Sequence, residues 1–289
     1  MFEEIYSPVQ KITFAPFNNL FVKRDDLIDP YISGNKWRKL KYILAKAEAE
    51  NKTHLVTFGG AYSNHLVATA AAASRSGIKS TAFVRGEEVK NEMLLLCRLF
   101  GMKLIFVDRE SYRDKNRLFK QHFTDDKQAH FIDEGGASPE ATIGCAEIIG
   151  ELTEPYDHIF CAAGTGTTAA GLLKGIQQHQ LNTKLHIIPV LKGGSFIEDE
   201  IVQYTPLTNH LHLHLDYHFG GYAKTTPELI NFIKTFTAQT GLLLDPVYTA
   251  KMFYAIVDLQ KLGTIGKDEK ILAVHTGGLM GLFGMKDKF

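Results

Sequence analysis

Lys36 is the first residue in the sequence whose setting is chemically odd. It lies in Ser33-Gly34-Asn35-Lys36-Trp37-Arg38-Lys39, where a glycine turn delivers it to the first turn of a helix. Helix N-termini favour anions, so a cation there loses roughly a few tenths of a kcal/mol unless another group neutralises it. A Schiff base with a carbonyl cofactor is one chemical way out. Taken alone, a solvated lysine is the better explanation of Lys36, as it is of Lys39 and Lys41. The second signal is Gly164-Thr165-Gly166-Thr167-Thr168, between an apolar strand and a helix, where exposed backbone N–H groups and the helix dipole suit an anion. A triphosphate-hydrolysing loop would need a lysine before the Ser/Thr, and none is present. Gly164, Gly166 and Ala169 nominally meet a dinucleotide fingerprint, but the next strand ends in Val190-Leu191-Lys192 without the acid that holds a ribose. What remains is a monophosphate loop, or a tight turn that needs small residues.

Two further turns could bring backbone and hydroxyls to the same place. Gly59-Gly60-Ala61-Tyr62-Ser63-Asn64-His65 follows a strand and opens a helix, so Ser63 and the next N–H groups can receive a carboxylate, or Ser63 can be a plain cap. Thr276 offers a neutral hydroxyl beside Gly277-Gly278 after the last apolar strand. His210, His212, His214, Asp216 and His218 alternate with leucines and Tyr217, which tempts a metal reading. Ligands two apart on a strand lie ~6–7 Å apart and do not converge on one ion, so the leucines read as the core face and the histidines as the wet one. No metal is expected.

These motifs sit in a chain of 289 residues with 45% hydrophobic content, enough for a large core in one or two domains. Lys+Arg and Asp+Glu are both 32, so nothing advertises nucleic acid or an anionic membrane, and a small-molecule substrate is expected. Cys97, Cys145 and Cys161 show no CxxC spacing and read as buried free thiols. The start Met1-Phe2-Glu3-Glu4-Ile5 lacks a signal-peptide pattern and no run is long enough to span a bilayer, so a cytoplasmic protein is expected.

The elements that must position the motifs alternate. The spacing predicts helices over 35–47, 64–74, 93–100, 113–123, 169–178, 229–239 and 252–262. It predicts strands over 54–58, 80–84, 103–107, 130–132, 158–162, 184–191 and 271–274 after a turn-rich start. Thr226-Pro227-Glu228 reads as a cap, a proline at the first helical position and a first-turn acid. This rhythm implies an α/β fold with parallel sheets covered on both faces, in two series, with a cleft between them as the natural ligand site.

Taken together, Ser33 to Leu40, Tyr62-Ser63-Asn64-His65, Gly164 to Thr168, Leu244-Asp245-Pro246-Val247-Tyr248-Thr249 and His275 to Gly278 resemble the D-cysteine desulfhydrase and 1-aminocyclopropane-1-carboxylate deaminase family of pyridoxal-phosphate enzymes. The likeness runs from about Val22 to Gly278. It implies the tryptophan synthase β-subunit fold (fold type II): a large cofactor-binding domain of residues 1–40 plus 147–289, and a small α/β domain of 41–146. It implies that Lys36 holds the aldehyde of pyridoxal 5'-phosphate and that Gly164, Thr165, Gly166, Thr167 and Thr168 hold its phosphate. Ser63, Asn64 and His65 would receive the substrate carboxylate, Asn64 and Thr276 would also face the cofactor, and Tyr248 and Tyr222 would be the active-site tyrosines. A homodimer is expected on the same ground. Deaminases that open the cyclopropane ring carry a glutamate after the DPVY tyrosine, where this chain has Thr249. That difference favours a D-cysteine desulfhydrase over a deaminase or another D-amino-acid β-lyase.

Overall fold

The N-terminal segment, expected to be turns, is instead a hairpin that forms one edge of a sheet. In the computed structural model, which describes residues 5–289, β1 (Val9–Phe14) pairs antiparallel with β2 (Phe17–Lys23). Ile12 and Phe14 point inward while Lys11 and Thr13 face water, a period of two held over only four residues and so faint in sequence.

The next stretch runs α1 (Asn35–Ala49), β3 (His54–Gly60), α2 (Asn64–Arg75), β4 (Lys79–Arg85), α3 (Glu92–Leu99), β5 (Lys103–Val107), α4 (Lys115–Phe123), β6 (Ala129–Ile132) and α5 (Pro139–Gly150). The final stretch runs β7 (His158–Ala163), α6 (Thr167–Gln178), β8 (Lys184–Pro189), α7 (Phe196–Val202), β9 (Leu211–Leu213), α8 (Pro227–Thr240), α9 (Thr249–Lys261) and β10 (Ile271–Val274). β3 to β6 form a parallel sheet in the order β5-β4-β3-β6. The other sheet has the order β1-β2-β10-β7-β8-β9 and is parallel beyond the opening hairpin. Every residue of β7 and β10 is buried, as expected of strands covered by helices on both faces. Among the described residues no helix is long and apolar enough to cross a membrane.

Two helices were not anticipated. α5 begins with Ser138, whose side chain accepts the N–H of Ala141, followed by Pro139 and Glu140, so its start signals were present although its interior lacks a clean stripe. α7 is short and follows Gly193-Gly194. The histidine strand also differs from expectation. Only Leu211–Leu213 is extended, and its histidine face is not wet. His158 Nδ1 lies 2.9 Å from His186 Nε2, and His186 Nδ1 lies 2.8 Å from His214 Nε2. The His186 ring stacks on Phe160 at 4.4 Å and on His212 at 5.1 Å. Burial and neighbouring imidazoles push His186 down to about 2 and burial pushes His214 down to about 4, so these rings are neutral packing groups. Among the described residues no group of three or more His, Cys, Asp or Glu is placed to hold a metal ion.

α1, α5 and β2 are tied by a buried ionic network. Arg38 is 1% exposed; its Nε and Nη2 donate to the Asp25 carboxylate at 2.9 and 2.7 Å, and its Nη1 donates to Glu151 Oε1 at 2.5 Å. Lys23 on β2 completes the network, 2.7 Å from Glu151 Oε2. A Cβ on Gly144 would stand 1.9 Å from the Arg38 carbonyl oxygen, so only glycine lets α5 approach α1 this closely. Arg38→Met should leave Asp25 buried without its cation and cost about 3–5 kcal/mol. Chemical denaturation checks this, and a wild-type unfolding midpoint would remove the network from the fold's stability.

Candidate active site

The site is assembled from three helix N-termini and the end of β10. A Cβ at Gly34 would stand 1.9 Å from the Thr276 carbonyl oxygen, and Gly34 has φ +58, so the turn before α1 fits against the end of β10 only as glycine. Asn35 donates its backbone N–H to that carbonyl at 3.3 Å. Its side-chain Nδ2 donates to Thr168 Oγ1 at 2.9 Å, joining α1 to the start of α6. Lys36 Nζ donates to Asn35 Oδ1 at 3.2 Å, which fixes the amine beside the same contact. On the other side Gly278 donates its N–H to Ser33 Oγ at 3.4 Å, and a Cβ on Gly278 would meet Asn64 Nδ2 at 2.7 Å. Lys36, Asn64, Thr168 and Thr276, 240 residues apart at their extremes, thus converge through short contacts.

Among the described residues the electrostatics of this cluster are positive, with no acid compensating them. Lys36 is half-buried, yet desolvation and the neighbouring Lys39 bring its amine down to about 7. Lys39 is not the solvated lysine that the sequence suggests: it is 2% exposed, donates to the Gly135 carbonyl at 3.0 Å, and is lowered by burial. Lys41 stays near the surface against Glu147, 2.6 Å away. α1, α2 and α6 open without a side-chain cap and without an acid in the first turn. α3, α4, α5 and α8 by contrast are capped by Asn91, Asp114, Ser138 and Thr226. At α1 the N–H groups of Asn35, Lys36 and Trp37 already reach the carbonyls of Thr276, Ser33 and Gly34, so it is the open starts of α2 and α6, beside the Lys36 and Lys39 amines, that form a place for anions.

At α6 the loop after β7 turns through Gly166, with φ +76, and buries Thr167 and Thr168. The Thr165 hydroxyl lies 3.4 Å from that of Thr167, and the Thr165 methyl lies against Gly135 of the other sheet's loop. The open N–H groups and hydroxyls fit a phosphate, and the depressed Lys36 amine fits an aldehyde, so the residues present suit pyridoxal phosphate.

Ser63 occupies the N-cap position of α2 but its side chain caps nothing, which leaves its hydroxyl and the adjacent N–H groups for a carboxylate. The His65 side chain turns inward and is 2% exposed. Thr57 Oγ1 donates to the Ile132 carbonyl at 3.0 Å and so accepts from His65 Nε2 at 2.7 Å, which leaves His65 Nδ1 buried without a hydrogen-bond partner among the described residues. Burial and the Lys36 and Lys39 amines hold His65 neutral. Tyr248 lies against Gly164, where a Cβ would be 3.3 Å from its hydroxyl. Its phenol is 3.5 Å from that of Tyr222, and burial raises it well above the usual range.

Thr249 is the first residue of α9. It is 0% exposed, its hydroxyl accepts the Asp245 N–H at 2.8 Å, and it lies 3.3 Å from the Asp245 carbonyl, so it braces the turn. Asn35 and Lys39 were missed as site residues. Asn35 adjoins Lys36, and Lys39 follows one helical turn later on the same face, a spacing that could have flagged it.

The model of the pyridoxal-phosphate dependent enzyme family matches residues 5–277. A protein of Pyrococcus furiosus named "Putative 1-aminocyclopropane-1-carboxylate deaminase" is 33% identical over 290 residues, covering 93% of this chain and 88% of that one. The bifunctional D-cysteine desulfhydrase/1-aminocyclopropane-1-carboxylate deaminase of Arabidopsis thaliana is 30% identical, covering 93% of this chain and 74% of that one. A solved structure described as an ACC deaminase homologue superposes with TM-score 0.85 at 31% identity, covering 98% of this chain and 92% of that one.

An amine is nucleophilic only when neutral. In the cofactor-free protein Lys36 should therefore reach half its maximal rate with an amine-directed reagent at about pH 7, gaining reactivity as pH rises through that value. Unshifted lysines should need a pH of about 10. Peptide mapping of labelling rates against pH checks this, and a Lys36 rate that climbs only with the surface lysines would contradict it.

Proposed function

The chain belongs to the pyridoxal-phosphate-dependent enzymes that include 1-aminocyclopropane-1-carboxylate deaminases and D-cysteine desulfhydrases, and we propose that within this family it is a D-cysteine desulfhydrase. D-Cysteine and water would become pyruvate, sulfide and ammonia. Pyridoxal phosphate, when bound, supplies an aldehyde for amines and a ring that draws electrons from the substrate Cα.

The remaining chemistry falls to the chain's own residues. The Lys36 amine, about half neutral at pH 7, is the group that takes the aldehyde and carries the Cα proton. The bare start of α6 receives the phosphate, with Thr165, Thr167 and Thr168 around it. Ser63, Asn64 and the open α2 N–H groups orient the substrate carboxylate, holding the Cα–H toward the lysine. Tyr248 and Tyr222 present their phenols together on the Gly164 side, where they can hold or move a proton as the β C–S bond breaks and sulfur departs with the bonding pair. Thr276 offers a neutral hydroxyl where a carboxylate would stabilise a ring cation more strongly, and a good leaving group such as a thiol tolerates the milder electron sink.

The observation that carries the choice of substrate is position 249. Its buried hydroxyl is engaged with the Asp245 backbone, so it offers neither the charge nor the basicity of the glutamate expected of ring-opening enzymes. The second reading, cyclopropane ring opening, is supported by the names of the Pyrococcus relative and of the solved neighbour.

Three measurements test this reading. D-Cysteine should yield sulfide and pyruvate while 1-aminocyclopropane-1-carboxylate yields no 2-oxobutanoate; the reverse pattern would replace the proposal with the second reading. Lys36→Ala should lose the borohydride-reducible attachment of the cofactor together with turnover, and persistence of that attachment would assign it to another lysine. Ser63→Ala should lower kcat/KM by ~10- to 100-fold, the loss of a charge-assisted hydrogen bond of about 1.5–3 kcal/mol. Cofactor absorbance should be unchanged in that variant, and unaltered kinetics would reduce Ser63 to a structural residue.

A further inference from the structure

Two ionisable side chains buried in the turn that opens α9 take no part in the chemistry above. Asp245 is 0% exposed. Its Oδ1 accepts the backbone N–H of Val247 at 3.0 Å and that of Tyr248 at 2.6 Å, while Oδ2 is buried with no hydrogen-bond partner among the described residues. The carboxylate therefore holds the amide of the residue whose phenol enters the site. Lys251, also 0% exposed, lies in the first turn of α9. Its Nζ donates to the carbonyls of His218 and Gly221 at 2.8 Å each and of Val190 at 3.3 Å, which uses all three protons of an ammonium group.

Tyr222 follows Gly221 directly. The loop that carries it passes through Gly220 at φ +93, Gly221 at φ +121 and Ala223 at φ +56, and lies outside any helix or strand. Such a path has no ladder to hold it, so two charge-assisted hydrogen bonds from one buried cation, itself tied to the Val190 carbonyl after β8, are a large part of what fixes it. Lys251 thus anchors one tyrosine through its loop, and Asp245 anchors the other through its amide. Both anchors lie within seven residues on the same turn, so the spacing of the phenols is set by one rigid piece of chain.

We propose that Asp245 and Lys251 are positioning residues that act as a buried clamp on Tyr248 and Tyr222, fixing the 3.5 Å approach of the two phenols. The proposal rests on the assignment of these tyrosines to the reacting centre. Neither clamp residue touches substrate; each acts through a tyrosine.

The test is a double-mutant cycle on the holoenzyme: wild type, Lys251→Met, Tyr222→Phe and the double variant, assayed with whichever amino acid the wild type turns over. Lys251→Met should lower kcat about tenfold or more with little change in KM, a loss within the range found for residues sharing one network. Hydrogen exchange read by mass spectrometry should quicken over residues 218–224 in that variant, with cofactor absorbance retained. The double variant should be no slower than Tyr222→Phe alone. An impaired Tyr222→Phe enzyme whose loss simply adds to that of Lys251→Met would overturn the clamp and leave the tyrosine assignment standing. Wild-type activity in Tyr222→Phe would instead overturn the tyrosine assignment beneath it. Should Lys251→Met fail to fold, Asp245 gives a second arm. Asp245→Ala removes the acceptor for two amides and should slow turnover, whereas Asp245→Asn keeps an oxygen there and should restore most of it. Equal activity in those two variants would also overturn the clamp.

Discussion

Everything at the site depends on one close contact, that of Gly34 with the Thr276 carbonyl. Gly34 opens α1 and Thr276 ends the last buried strand, so the contact joins chain segments more than 240 residues apart. A side chain at Gly34 would collide with that carbonyl at 1.9 Å, and the N–H of Asn35 could no longer reach it. Lys36 is the next residue, so its amine inherits a position set by backbone packing and by the Asn35 side chain. Asn35 then passes the constraint on to Thr168, which makes the phosphate-type loop and the lysine one unit. Precision here comes from backbone against backbone, which has fewer ways to relax than side-chain packing.

The alternation of strands and helices was legible because parallel strands covered on both faces leave short apolar runs between amphipathic helices. β5 and β10 fall where the sequence placed them, and Thr226 caps α8 as its Thr-Pro-Glu signature implied. The opening hairpin was not legible, because Pro8 and Pro16 mark turns more loudly than four alternating residues mark a strand. At the site, the residue types of Lys36, Ser63 and the Gly164 loop carried their own signal, and the family resemblance supplied their roles. Lys39 was read as solvated because lysine seldom goes inside, and its one signal was its place one helical turn after Lys36. The histidine face was misread for a related reason. Period two assigns a face, but the partner across the sheet decides whether that face is wet, and His186 with Phe160 covers it.

The charge pattern shows why this arrangement persists. An amine drawn out of water without a counter-charge is costly, and among the described residues no carboxylate stands beside Lys36 or Lys39. The three helices that open nearby give up the caps that most of the other helices keep. Each choice alone weakens the fold, and all of them face the same space. The Arg38, Asp25 and Glu151 network lies on the same helix α1 and does the opposite, pairing its buried cation fully and fixing that helix to β2 and α5. Helix α1 therefore has one ionic face that holds it rigid and, at its start, an amine held beside the open ends of α2 and α6. A ligand that brings a phosphate to α6 and a carbonyl to Lys36 supplies what the folded chain lacks and finds no such place in the unfolded chain. Its binding must then add to stability as well as to reactivity.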